Sequence, residues 1–489
     1  MAALRAEPWR EELRRSMKNK DRTAIPRVKM NELDPEYRSR CNEEVNLGLT
    51  VEQAQCEAQR CIDCPSPTCM EGCPVNINIP AFIKNIERGA FAEAAKILKE
   101  ANALPAVCGR VCPQEKQCEC KCIHLKMNKE PVAIGHLERF AADYERESGT
   151  MSVPEIAESN GIKIAVVGSG PAGLSFAGDM VRMGYDVTVF EALHEIGGVL
   201  KYGIPEFRLP NSIVDVEIEV LRQMGVKFVV DCIIGKTISY DDLLVEGYKG
   251  IFVASGAGLP NFMNIPGENL IGILSSNEYL TRVNLMLAAD EDSDTPVLLG
   301  KNVAVIGGGN TAMDSVRTAL RLGADRAMII YRRSEEEMPA RIEEVKHAKE
   351  EGVEILTLHS PVEYIGDVDG RVSKMRVQRM ALGEPDASGR RRPVPIEGAI
   401  DEMDADLVVV SVGVSPNPLI PKEFKGLDIS KWGTIIVNED TMRSSLSNVY
   451  AGGDIVRGGA TVILAMGDGR KAAFAMNEQL HPDVPLGTS

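Results

Sequence analysis

A chain of 489 residues is about three times the usual domain length, so two to four domains and a sizeable core are expected. Its 71 acidic against 55 basic side chains leave a net charge of −16, which argues against a nucleic-acid or anionic-membrane partner. No run of 18 apolar residues occurs, and the charged beginning (Glu7, Arg10, Glu11, Glu12, Arg14, Arg15) lacks a secretion signal's apolar core, so a cytoplasmic protein is expected.

The first 40 residues are charged and without a clear period, which predicts an extended arm or short helices. Next come the cysteines: 11 of the 12 lie between Cys41 and Cys122, and Cys232 stands alone. A local thiol cluster in a chain without a secretion signal reads as metal binding or redox chemistry. The first group is Cys61-x2-Cys64-x4-Cys69-x3-Cys73-Pro74, and the second is Cys108-x3-Cys112-Pro113-x4-Cys118-x-Cys120-x-Cys122. Two interleaved groups, each with a cysteine before proline, suit two 4Fe-4S clusters. Zinc, which favours paired CxxC knuckles, finds only Cys61 with Cys64; zinc and unligated thiols are the alternatives. Cys41, Cys56 and Cys232 are expected to be ordinary cysteines. Between the groups, Ile79, Phe82, Ile83 and Ile86 recur at helical spacing with Pro80 at the start and Gly89 at the stop. Phe91, Ala94, Ala95, Ile97 and Leu98 mark a second helix, and the polar stretch from Glu145 to Gly161 a linker.

At Ile162 the pattern changes to strand, glycine turn, helix, strand. Gly168-Ser169-Gly170-Pro171-Ala172-Gly173 follows a β-branched run and is answered by Glu191 at the next strand end. The glycines permit a tight turn, approach of a pyrophosphate and close helix packing, and the carboxylate suits ribose hydroxyls. The same architecture recurs at Gly307-Gly308-Gly309-Asn310-Thr311-Ala312, but the strand end there reads Tyr331-Arg332-Arg333. A guanidinium pair favours a 2′-phosphate and so predicts NADPH; the alternative is a solvated strand end facing Glu335, Glu336 and Glu337. The first fold would then hold FAD, which can accept electrons in pairs and release them singly. Near the end, a strand runs into Gly452-Gly453-Asp454, and a helical run begins about Val462; Asp454 could meet a ribityl hydroxyl and the helix start an anionic flavin. The run Arg390-Arg391-Arg392 is either a docking patch or a solvated hairpin.

Together with Gly197-Gly198-Val-Leu-x-x-Gly203-Ile-Pro-x-Phe-Arg208 and the run ending in Asp314, these motifs resemble one family. It comprises the small (beta) subunit of NADPH-dependent glutamate synthase, the large subunit of NADH-dependent ferredoxin:NADP oxidoreductase and the N-terminal module of dihydropyrimidine dehydrogenase. The resemblance covers residues 40 to 480 and implies an α/β fold, two Rossmann-like domains preceded by a helical iron-sulfur domain. The expected limits are 1–150 for the iron-sulfur domain, 160–295 and 426–489 for the FAD domain, and 296–425 for the NADPH domain. It implies Cys61, Cys64, Cys69 and Cys122 on one cluster, and Cys73, Cys112, Cys118 and Glu138 on the other, leaving Cys108 and Cys120 as non-ligands. By the same resemblance Gly198 and Arg208 belong to the FAD site and Asp314 lies near the nicotinamide. The activity implied is electron transfer between NADP(H), FAD and the clusters to a partner subunit in a hetero-oligomer. That partner would be a glutamate synthase large subunit, a small flavoprotein subunit working with ferredoxin, or a dihydropyrimidine dehydrogenase type partner. A disulfide reductase would need a cysteine pair beside the flavin, and the nucleotide domains contain only the solitary Cys232.

Overall fold

The computed structural model describes residues 6–149, 151–290, 292–387 and 389–481. The arm forms α1 (Pro8–Ser16) and then single helical turns. Buried arginines pin it down: Arg10 pairs with Asp63 at 2.6 Å, Arg22 with Glu87 at 2.7 Å and Arg38 with Glu350 at 2.6 Å. The helices α2 (Val51–Gln59), α3 (Ile79–Glu87), α4 (Phe91–Ala101), α5 (Pro105–Val111) and α6 (Ile134–Glu147) then surround the cysteine segments. Pro80 sits in the first turn of α3, and Gly89 at φ +80° takes the left-handed conformation that ends it.

The first nucleotide fold runs β1 (Lys163–Val167), α7 (Pro171–Arg182), β2 (Asp186–Phe190), α8 (Asn211–Gln223), β3 (Lys227–Val229) and β4 (Tyr248–Val253). A crossing strand, β5 (Ala257–Pro260), leads to β6 (Ile273–Ser275), β7 (Asn302–Ile306), α9 (Asn310–Arg321), β8 (Arg326–Tyr331), α10 (Ile342–Glu350) and β9 (Glu354–Thr357). An antiparallel sheet follows, made of β10 (His359–Gly366), β11 (Val372–Pro385) and β12 (Arg391–Asp404). Then come β13 (Leu407–Val410), β14 (Val414–Pro416), β15 (Val449–Ala451) and α11 (Val462–Leu480).

Two all-parallel sheets result, ordered β15-β4-β1-β2-β3 and β9-β8-β7-β13-β6. Their central strands are covered on both faces, which is why Ile164–Val167 and Leu407–Val410 are unbroken apolar runs, buried throughout. In each sheet the strand order reverses beside the glycine-turn strand, β1 or β7, and at such a switch point a crevice opens at the carboxyl ends. β6 pairs with β13, so the second sheet takes in residues ahead of position 296. The chain crosses between sheets as a ribbon of β5 against β14. No helix among the described residues is long and apolar enough to cross a membrane.

Candidate functional site

Cys61, Cys64, Cys69 and Cys122 line one small cavity, walled by Ile79 and Ile83 of α3 and by Val132. Burial, and then the Cys61 and Cys122 sulfurs, push the Cys64 thiol up to about 11; the same causes raise Cys69 further. Four sulfurs crowded into one cavity, three of them with thiols raised by burial and by their neighbours, are a donor set that a cation between them would stabilise, and their chemistry fits iron or zinc. Between two of them Asp63 sits at φ +53° and binds Arg10 and Arg14 at 2.6 Å each, so α1 is clamped onto this loop. Cys120 is exposed, with its thiol on the Gln117 carbonyl at 3.0 Å, whereas Cys122 faces the cavity.

Cys73, Cys112 and Cys118 form a deeper group. Glu138 on α6 is buried beside all three, and its charge raises each of their thiol pKa values, after burial for Cys73 and Cys118 and after the Cys108 hydrogen bond for Cys112. Burial pushes the Glu138 carboxyl itself up to about 8, against a hydrogen bond from Asn102 Nδ2 at 2.8 Å. A carboxyl held this far from water is a suitable fourth donor beside three thiols. Cys108, read from the sequence as a bystander, hydrogen-bonds Cys112 one helical turn on, and its sulfur lies 3.5 Å from Met466 of α11. Cys69 of the outer group also bears on Cys118, so the two groups are neighbours. Cys41 and Cys56 belong to neither, and Cys232 lies in the apolar core under the first sheet.

In the first glycine turn, Gly168 at φ +101° presses the Ala254 carbonyl, 2.5 Å from where a Cβ would stand, while around Gly170 a Cβ would meet no protein atom within 4 Å. That open space faces the start of α7, where helix amides can meet phosphate. Gly198 closes the loop from the other side, its Cβ position 2.9 Å from the Gly170 Cα. At the strand end, Glu191 accepts from Ser169 N at 2.9 Å and Ser169 Oγ at 2.5 Å. Asp454 begins a short helical turn, and burial raises its carboxyl. Val462 opens α11, whose start is capped by Thr461; Thr461 Oγ1 in turn accepts from Gln117 Nε2 at 3.3 Å, beside Cys118. The sequence reading missed Ser255, whose backbone stands against Gly168 and whose buried hydroxyl has no partner among the described residues. The signal available was a serine–glycine step, Ser255-Gly256, just after β4, the strand paired with the first glycine-turn strand.

The second turn repeats the first. Gly307 at φ +145° presses the Ser411 carbonyl, Gly308 lies under the Tyr331 ring, and Gly309 has only Pro339 near its Cβ position, at 3.9 Å. Asn310 and Thr311 begin α9. The arginine pair is split between surface and interior in the bend that follows β8. Arg332 is exposed without an ion pair among the described residues, whereas Arg333 is buried on Asp386 at 2.6 Å and on the Arg391 carbonyl at 2.9 Å. Arg391 turns back to Glu337 at 2.6 Å, so the run of three arginines is partly folded onto this loop.

The folds meet at a buried ion pair, Arg208 Nη1 on Asp314 Oδ2 at 2.5 Å. Burial outweighs Arg208 and pushes the Asp314 carboxyl up to about 6, and its Oδ1 has no hydrogen-bond partner among the described residues. The two residues named for different cofactors are thus direct partners on one seam.

Residues 38–150 match the family model described as dihydropyrimidine dehydrogenase domain II, 4Fe-4S cluster, and residues 162–469 match that of pyridine nucleotide-disulphide oxidoreductase. The glutamate synthase [NADPH] small chain of Azospirillum brasilense is 36% identical over 436 residues, which cover 88% of this chain and 90% of that one. The protein named AegA of Escherichia coli (strain K12) is 38% identical over 440 residues, 88% of this chain but 66% of AegA. Among solved structures, Mycobacterium tuberculosis FprA in complex with NADPH superposes with a TM-score of 0.55 at 21% identity, over 66% of this chain and 85% of that chain, a likeness of fold.

Proposed function

This chain belongs to the family of glutamate synthase small chains and related oxidoreductases, a 4Fe-4S domain joined to an FAD/NAD(P)-binding domain, and on that premise we propose that it passes electrons between NADP(H), one FAD and two 4Fe-4S clusters to a partner subunit. The bound groups would supply two-electron exchange at the nucleotide and one-electron exchange at the clusters. The residues hold and orient. Cys61, Cys64, Cys69 and Cys122 would ligate the outer cluster, and Cys73, Cys112, Cys118 and Glu138 the inner one. Gly168 to Gly173, Glu191, Gly198, Asp454 and Val462 would hold FAD. Gly307 to Thr311 and Arg332 would hold NADP(H), with Arg333 bracing that loop through Asp386. Arg208 and Asp314 would fix the two folds face to face, keeping water from the space between the rings.

Contiguity carries this reading. The start of α11 in the first fold touches the inner thiol group through Gln117 on Thr461 at 3.3 Å, through Cys108 on Met466 at 3.5 Å and through Pro74, 3.0 Å from the Cβ position of Gly467. The inner group adjoins the outer, and the outer group lies nearer the surface. The order is therefore nucleotide, flavin, inner group, outer group, partner. Among the described residues of the nucleotide folds Cys232 is the sole cysteine, which disfavours disulfide reduction.

The test is anaerobic purification of a cytoplasmic hetero-oligomer, with flavin, iron and sulfide analysis. NADPH oxidation is then assayed with ferredoxin plus NAD and, separately, with glutamine plus 2-oxoglutarate. Glutamate formation would identify a glutamate synthase large subunit as the partner; NADPH oxidation that requires both NAD+ and oxidised ferredoxin as acceptors would identify a small flavoprotein subunit. Iron for a single cluster, or a protein without flavin, overturns the reading. Glu138→Ala should alter one cluster's spectrum and leave the flavin in place.

A further inference from the structure

We infer that Arg341 is a positioning residue that makes the inner cluster's potential depend on whether the second nucleotide fold is occupied, an inference that rests on the cofactor reading above. The segment from Pro339 to Ile342, leading into α10, is bonded on two sides. On one side, Ala340 N donates to the Gly308 carbonyl at 3.2 Å and Arg341 N to Asn310 Oδ1 at 2.9 Å. Both acceptors belong to the turn and helix start at which a pyrophosphate would be held. On the other side, the Arg341 guanidinium donates to the Arg110 carbonyl at 2.6 Å and to Gln114 Oε1 at 3.1 Å.

Arg110 and Gln114 lie two residues before and two residues after Cys112, so one guanidinium grips both flanks of a turn that bears a cluster ligand. The grip is reinforced by Lys116 Nζ, which donates to the Pro339 and Ala340 carbonyls at 2.8 and 3.0 Å. Gln114 also packs against Gly135 so closely that a Cβ there would overlap its amide, and Gly135 is three residues ahead of Glu138. Arg341 is 5% exposed, so these bonds do not compete with bulk water.

Phosphates arriving at the start of α9 would re-orient the Gly308 and Asn310 groups that hold Ala340 and Arg341. The planar guanidinium fork passes a rotation on to both of its acceptors, where a flexible ammonium would absorb it. The potential of an iron-sulfur cluster responds to the hydrogen bonds and dipoles around its ligands. Linkage makes the effect reciprocal: whatever NADP+ does to the cluster's reduction, reduction does to NADP+ affinity by the same factor.

The test is an anaerobic redox titration of the full chain, following the inner cluster by electron paramagnetic resonance with and without saturating NADP+. The inner signal is the one altered by Glu138→Ala. In the wild-type chain NADP+ should change the cluster's reduction equilibrium by about fivefold, at the low end of typical couplings, or about 40 mV for one electron. NADP+ affinity, measured on oxidised and reduced protein, should differ by the same factor. Arg341→Ala should abolish the shift. Arg341→Lys, which keeps the charge but not the fork, should cut it to less than half while both cluster signals remain. A shift of wild-type size in Arg341→Lys would mean that the nucleotide's field acts directly through space, and would overturn the inference, as would no shift in the wild-type chain. Failure to bind NADP+, or a missing second cluster signal, would instead bring down the cofactor reading and this inference with it.

Discussion

The two nucleotide folds are built on one plan and differ at a paired position. In both, the first glycine has a positive φ and presses a carbonyl of the neighbouring strand's end, Ala254 for Gly168 and Ser411 for Gly307. In both, the helix start at Gly170 or Gly309 is nearly free of protein neighbours. The residue between those glycines fits the side chain at the end of the second strand: Ser169 hydrogen-bonds Glu191, whereas Gly308 makes room for the Tyr331 ring. Turn and strand end thus form one unit. On the proposed cofactor reading, the glycines would make room for a pyrophosphate, while the strand end would set the charge presented to the ribose, a carboxylate in one fold and Arg332 in the other.

The largest expected effect comes from filling the open space. Gly170 has φ −68° and ψ 179°, which any residue can adopt, so Gly170→Val should fold with a stability change of about 1 kcal/mol or less. It should nonetheless lose flavin, by roughly 100-fold or more in affinity, or about 3 kcal/mol. Gly309→Val should do the same to NADP(H) and leave the flavin bound. Flavin content after gel filtration and NADP+ binding by calorimetry separate the two; loss of both ligands from either variant would mean that the turns are not independent. Next in size is Arg332→Ala, which should weaken NADPH by about 1.5–3 kcal/mol, the worth of hydrogen bonds to a charged group, and leave NADH almost unchanged. Arg333→Ala should leave the NADPH to NADH preference intact and lower stability by about 1–2 kcal/mol, because it strands partly exposed Asp386 without its partner. Urea unfolding and a comparison of the two Kd values would check it; a lost preference would return Arg333 to the ribose site.

Local features were legible because a short segment decides them. Glycine turns announce themselves by spacing between a strand and a helix, and the cysteine runs by ligand spacing, so the two parallel sheets and the thiol-bearing helical domain could be anticipated. Cys122 against Cys120 was not decidable from spacing, and the direction of each side chain in that tight run became visible only in three dimensions. The split of Arg332 from Arg333 depends on Asp386, 53 residues away, and Arg341 reaches Gln114 across 227 residues. No window of sequence contains such pairs. The hydrogen bond of Cys108 to Cys112 could have been foreseen, since the two are one helical turn apart, but the contact of Cys108 with Met466 depends on how α11 docks.

The smallest effect tests the seam between the folds. Asp314 is ionised in water above about 3.8, but in the folded chain burial keeps its proton on until about 6 in spite of Arg208. The folded state therefore binds more protons than the unfolded one between these values, so this group's contribution to stability is full below the lower pKa and is lost as pH rises through the upper one. Asp314→Asn removes the titration. The difference in unfolding free energy, wild type minus variant, should fall by on the order of 1 kcal/mol between pH 4.5 and 7, measured by urea unfolding at several pH values. A rising difference would mean that the Arg208 pair outweighs burial and that Asp314 is charged in the folded protein throughout. The seam would then be an ion pair that tightens as it ionises, and the Oδ1 atom, without a partner among the described residues, would on the proposed reading have to find one when the nucleotide binds.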